Sequence, residues 1–359
     1  MLQSSAAAQT GFPLVEGSQS VARFVLQDAA APMQWDAYGA MSTHSGGSYR
    51  EGERAIVMRV RRLARAPLAF GMPTTQVPDP GLFGPGSATW EVTGDASAGV
   101  GGIRALLLQA LHPSAMATVD RLSDYRRSTW GRLLRTAEYV GMTCFGTTDE
   151  ADRTAGHVRA LHERLGILDT SELLWVHAAL IDSVLDSYLR THPDAPADFG
   201  DRYINEQRLA ATLVGIDEDD VFATMDELKN YLEAMRPTLA VTPPAMTAAD
   251  ALLVPWMPWF IRWLTPAVPF WRYMMTASFI CLPLWVQNAY AESLDDVSPA
   301  MRRLILNACK GTDEQRLQRA DRRIRLIRKM AMASPAFARI GPHVSAAYQR
   351  LGMRAADHH

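Results

Sequence analysis

GGIRALLLQALHPSAMATVDRLSDYRRSTWGRLLRTAEYVGMTCFGTTDEADRTAGHVRALHERLGILDTSELLWVHAALIDS, Gly101 to Ser183, decides the fold. Apolar residues recur along it at helical rather than alternating spacing, which predicts helix after helix. The breaks lie at His112-Pro113, because a residue before proline avoids the α region, at Gly146, and at Gly166, which suits the left-handed residue past a helix end. Helices are therefore expected over about 102–111, 116–122, 130–144 and 149–165, the last with Thr148 or Asp149 as N-cap. A fifth starts from a cap at Thr170 or Ser171 and runs to about Thr191. Polar groups stand inside these apolar stripes rather than opposite them. A buried imidazole or guanidinium is costly without a partner, so the stretch reads as the wall of a ligand pocket.

Working outward, helices are expected over 51–68 (Ile56, Val60 and Leu63 inward, ended by Pro67), 201–214, 219–236 and 245–254. A charged helical region follows over 292–353, around the basic amphipathic DEQRLQRADRRIRLIRKMAMA. Ser87–Asp95, SATWEVTGD, alternates weakly and reads as a short extended piece. The fold class is all-α, one large multi-helix domain over 51–353. A mobile arm, residues 1–50 with a short helix near 21–27, precedes it, and a tail, 354–359, follows.

Lys and Arg number 36 against 38 Asp and Glu, a net charge of −2. That balance argues against nucleic acid as a partner, since binding to phosphate backbones needs a concentrated basic field. Cys144, Cys281 and Cys309 are widely spaced and form no CxxC pair, which argues against zinc ribbons, iron–sulfur clusters and disulfide scaffolds. The N-terminus lacks a basic, then apolar, leader, so a cytoplasmic protein is expected. Residues 251–291 hold five of the nine tryptophans, at 256, 259, 263, 271 and 285, cut by five prolines. The uncharged run Tyr273–Leu282 is about half of the roughly 20 residues a membrane span requires. An aromatic lid, a homodimer face and a peripheral membrane patch all remain open for this segment.

Four of the nine histidines fall in the deciding stretch. His162 stands at the edge of the Val158, Leu161, Leu165 stripe, and His177 is surrounded by Leu173, Leu180, Ile181 and Val184. For each, an iron ligand and a satisfied core histidine are both open. His112 at its helix end can project into a pocket or simply end the helix. His157 lies about 140° around the helix from His162, so the two share no metal from one face. Arg132 and Thr136 are i, i+4 on one face, with Arg135 beside them, a set suited to an anion; an exposed arginine above a back-bonded threonine is equally open. No HExxH, phosphate loop, dinucleotide fingerprint or GxSxG elbow occurs.

Taken together, Trp90-Glu-Val, GGIRALLLQALHP, the Arg132/Thr136 pair, FGT at 145–147, the VRALH run around His162 and LLWVHAAL at 173–180 resemble the DUF2236 family. This family is also described as the rubber-oxygenase/MpaB catalytic domain, and the resemblance covers about residues 75–345. It implies an all-α protein binding b-type haem without a covalent link. Arg159-Ala-Leu-His162 matches the family's proximal-histidine run, which makes His162 the iron ligand and His177 the second choice. The family's distal pair matches Arg132 and Thr136, which become the catalytic candidates. Arg132, Arg135, His112 and the two histidines become the cofactor-binding candidates. Latex clearing protein, a member, carries a lysine where this chain has Arg135; a guanidinium is a poor iron ligand, so an open distal side is implied. The family's catalytic glutamate has no match over 112–120. The implied function is a haem-dependent oxygenase using dioxygen on an apolar small molecule, isoprenoid- or acyl-like. Peroxidase or dehydrogenase chemistry on the same haem, and a non-catalytic haem or lipid carrier, are the other readings.

Overall fold

The computed structural model of the chain describes residue 59 and residues 78–122, 129–167, 169–253, 255, 263–265, 267–295, 297–335 and 339–353. The arm over 1–50, the tail, Trp256 and Trp259 lie outside them, as does the expected helix over 51–68 except for Arg59. Among the described residues there are fourteen α-helices and no strand. They are α1 (Ala88–Gly94), α2 (Ala98–Gln109), α3 (Pro113–Leu122), α4 (Thr129–Phe145), α5 (Thr148–Leu165), α6 (Thr170–Thr191), α7 (Phe199–Leu213), α8 (Met225–Met235), α9 (Pro243–Leu253), α10 (Ala267–Ile280), α11 (Leu284–Glu292), α12 (Pro299–Ala308), α13 (Asp313–Met332) and α14 (Pro342–Arg350). No described helix is long and apolar enough to cross a membrane.

The core is organised on α2 and α6, which pack face to face. Gly101 makes the approach possible: a Cβ there would stand 2.8 Å from the Val184 Cα and 2.9 Å from the Ser183 carbonyl oxygen. On one side Val100, Ile103, Leu107 and Trp175 join residues of α9 to α13 in the largest apolar cluster. On the other, Ile181, Val184, Leu185 and Tyr188 pack with α1, α7 and α8. Burying an aliphatic or aromatic side chain contributes about 1.5–3 kcal/mol, so these two clusters account for most of what holds the helices together.

Charge also runs through this centre. Arg104, 3% exposed, donates to the Cys281 carbonyl at 2.8 Å, to Asp182 at 2.7 Å and to the Ser183 hydroxyl at 2.6 Å. Asp186, 3.6 Å from Arg104, accepts from Arg190 at 2.8 Å, and Arg190 donates on to Asp321 of α13 at 2.7 Å. The chain of alternating charges ties α2, α6 and α13 together.

Four local readings need correction. Ser87–Asp95 is not extended: α1 occupies Ala88–Gly94. Ser87 caps it, accepting from Trp90 N at 3.1 Å, and the Glu206 carboxylate of α7, 118 residues from Ala88, accepts from the amides of Ala88 and Thr89. A distant carboxylate at a helix start is favourable and leaves no trace in the local pattern. The helix expected from 219 starts at Met225, because Thr224 caps it while 218–220 form a separate 3-10 turn. Thr147, not Thr148 or Asp149, caps α5, in a capping box with Glu150. Asp169, not Thr170 or Ser171, caps α6.

Candidate functional site

The candidate site lies in the helical hairpin α4–α5, whose turn is held by contacts from outside it. At the turn, Asp79 accepts from the amides of Gly81 at 2.7 Å and Thr148 at 2.9 Å. Arg350 donates to the Phe145 and Gly146 carbonyls at 2.9 and 3.3 Å, satisfying acceptors that the end of α4 leaves over. Gly81 adopts φ +79°, and a Cβ there would overlap the Gly146 carbonyl oxygen. One flank of α4 is filled by α14. The buried His343 ring rests on Gly141, where a Cβ would come within 2.3 Å of it, and its Nε2 lies 3.3 Å from the buried Glu138 carboxylate. Trp90 closes the base against Phe145 and Tyr348, both at 5.3 Å between ring centroids.

Further from the turn the two helices are more exposed, although Thr129 and Gly131 at the start of α4 are buried again. On α4, Arg132 to Leu134 are half-buried and Arg135 to Ala137 exposed; on α5, Gly156 to Leu165 are half-buried or exposed. Equal rises of about 1.5 Å per residue away from the turn put Arg132 level with Leu161 and His162. By this count Arg132, Arg135 and Thr136 on α4 stand at about the same height as His162 on α5. Protein around the Arg135 guanidinium desolvates it enough to lower its pKa, yet a guanidinium remains a cation. Thr136 is exposed and donates to the Arg132 carbonyl at 3.1 Å.

His162 is half-buried, and its Nδ1 is enclosed without a hydrogen-bond partner; burial lowers its pKa, which favours the uncharged ring. His177 is more extreme. It is 8% exposed, Nε2 is unpartnered, and burial pushes its pKa down to about 4. It stands on α6, not in the hairpin. His112 lies elsewhere again: its Nδ1 accepts from the Ala115 amide at 3.3 Å at the start of α3, and its ring is 6.3 Å from that of Trp175. His157 is exposed. Among the described residues, no three His, Cys, Asp or Glu side chains converge as a metal would need. A metal that arrived with most of its own ligands would need only one donor from the protein, and an imidazole with an unpartnered nitrogen would fit that need.

Several residues of the site were not read from the sequence. The Tyr139 hydroxyl on α4 and the Thr154 hydroxyl on α5 are both enclosed and unpartnered. The signal for Tyr139 was its spacing, seven residues after Arg132 and three after Thr136, which continues the same helix face. Glu138 and His343 give no such signal, because they meet only through packing.

Trp130, at the open end of α4, touches Trp271 of α10 at 4.6 Å between centroids. Just before α10, Trp263 and Leu264 are 77% and 74% exposed, and Phe270 is 51% exposed. The described part of the tryptophan-rich segment therefore borders the open end of the hairpin.

No curated protein and no solved structure matches this chain. Residues 90–333, which include both walls of the hairpin and α6, match the model described as ER-bound oxygenase mpaB/B′/rubber oxygenase, catalytic domain, and the chain belongs to that family.

Proposed function

We propose that this protein is a haem-dependent oxygenase whose α4–α5 cleft takes b-type haem, and that it oxidises an apolar small molecule of isoprenoid or acyl type with dioxygen. The observation that carries the reading is the bare, enclosed Nδ1 of a neutral His162, level with Arg132 at the open end of the hairpin. Buried polar atoms without partners are few in folded proteins and ask for an explanation; an absent ligand is one. When bound, the haem supplies dioxygen binding and activation.

The chain's own residues do the rest. His162 would hold the iron through a ring nitrogen, and burial, which lowers its pKa, favours the uncharged ring that such a ligand needs. Arg132 and Arg135 meet anionic groups on the occupant by charge-assisted hydrogen bonds. Thr136 can orient a small ligand, provided its hydroxyl gives up the Arg132 carbonyl, which is a rotation about χ1. Trp263, Leu264 and Phe270 form an apolar mouth; a peripheral membrane contact or a homodimer would use the same face.

Titration of the purified protein with hemin, followed by absorbance, tests this. The wild type should develop a Soret band, His162→Ala should lose it, and His177→Ala should keep it with a lower melting temperature. Loss in His177→Ala with retention in His162→Ala reverses the ligand assignment. A wild type that binds no hemin ends the haem reading.

A further inference from the structure

Helix α4 carries a polar stripe that deepens toward the turn. At about 100° per residue, Arg132, Thr136, Tyr139 and Thr143 share one face, with Arg135 at its edge. Arg135 and Thr136 are exposed, Tyr139 is half-buried and Thr143 is 4% exposed. Thr143 spends its hydroxyl on the Tyr139 carbonyl at 2.9 Å. The other faces of α4 are occupied: Gly141 and Glu138 by α14, Phe145 by Trp90, Leu133 by the main core. On α5, the neighbouring arm of the hairpin, Thr154, Val158 and His162 stand at i, i+4 and i+8, and the Thr154 hydroxyl is likewise enclosed without a partner.

Tyr139 starts level with Thr154, counted from the turn. Long side chains on a helix lean toward its N-terminus, here toward the open end, so the ring extends toward Val158 and Arg159. Burial pushes its pKa up to about 12, with Cys144 adding to the rise and Arg159 opposing it, so the phenol stays a protonated donor. Its hydroxyl is enclosed and has no partner. A phenylalanine would fill the same space without burying an unsatisfied donor.

We infer that Tyr139 is an inner polar contact between α4 and α5, donating its hydroxyl hydrogen to a small electron-rich ligand bound there. The identity of that place as the dioxygen site rests on the function proposed above; the unused donor does not. Arg132 and Arg135 then serve the outer, anionic part of the occupant, and Tyr139 serves the inner, oxygen-bearing part.

Tyr139→Phe tests the inference in two preparations. In hemin-loaded ferric protein, azide is the probe: affinity should fall about tenfold or more, the loss of one hydrogen bond to a charged acceptor, while the Soret band persists. In the ferrous protein, the carbon monoxide stretch should move to higher frequency as a nearby donor disappears. In ligand-free protein, the melting temperature should stay level or rise, because an unused donor is being removed. Unchanged azide affinity with an unchanged stretch overturns the inference, and so does a drop in ligand-free melting temperature or failure to fold, since either means the hydroxyl has a structural partner. If wild type takes up no hemin, the haem reading falls and the ligand-free melting comparison alone decides on Tyr139.

Discussion

The α2–α6 pair holds Arg104 in its core and the α4–α5 hairpin holds Tyr139 and His162, and these three polar groups meet opposite surroundings. Around Arg104 the chain provides two aspartates, a serine hydroxyl and a backbone carbonyl, and the second aspartate passes charge on through Arg190 to Asp321. The Tyr139 hydroxyl and the His162 Nδ1 are enclosed with no hydrogen-bond partner. Packing differs in the same sense. Gly101 allows α2 and α6 to touch backbone to backbone, whereas Gly156, in the open half of the hairpin, has only the flexible Arg159 side chain near its missing Cβ. A polar residue inside an apolar stripe is therefore not in itself a sign of a site. It becomes one when the fold leaves it without a partner, because the cost of burial then has to be offset by something that binds.

The contrast can be broken most forcefully at Arg104. Arg104→Met leaves Asp182 and Asp186 facing a hole in the ionic chain, and removing one member of a buried pair costs about 3–5 kcal/mol. Denaturant unfolding should show a loss of that size; a loss below about 1 kcal/mol would mean the chain of charges is incidental to the core.

Gly101→Ala comes next. Its new Cβ meets main-chain atoms that cannot rotate away, and overpacking of this kind costs about 1–3 kcal/mol. The melting temperature should fall with it, and a neutral result would show that α2 and α6 can separate more easily than their packing suggests.

Asp79 at the hairpin turn sharpens the comparison through pH. Its pKa is lowered from 3.8: partial burial acts to raise it, but the amides of Gly81 and Thr148, the Thr148 hydroxyl and the charge of Arg350 prevail. A carboxyl depressed in the folded state contributes stability above the unfolded pKa, and that contribution is lost as pH falls through the folded one. Asp79→Asn should cost about 0.5–1 kcal/mol at neutral pH, the scale of a lost helix cap, and flatten the stability curve below pH 4. Equal curves for wild type and variant would remove Asp79 from the locking of the turn.

The smallest effect belongs to Gly156→Ala. With open space at the Cβ and a helical backbone, it should raise stability by about 0.5–1 kcal/mol, opposite in sign to Gly101→Ala. Destabilisation at Gly156 would show that the open half of the hairpin is closely packed after all.

The helices were legible in the sequence because their signals are local. The 3.6-residue period, the break at His112-Pro113 and the left-handed Gly166, at φ +71°, depend on a few neighbouring residues. So did the expectation that Arg132, Arg135 and Thr136 share a face and that His162 stands at the edge of the apolar stripe of its helix. Asp182, Asp186 and Arg190 also left a local trace, at i, i+4 and i+8 of α6, which became an ionic chain once Arg104 met them. Tertiary structure alone decided the rest. Glu206 made a helix of Ser87–Asp95 from 118 residues away, His343 met Glu138 across Gly141, and Arg350 sealed the end of α4. Which polar groups stayed without partners was decided there too, since satisfaction of a buried donor depends on whatever folds against it. Spacing along the chain specifies which side chains share a helix face, and only packing specifies what that face meets.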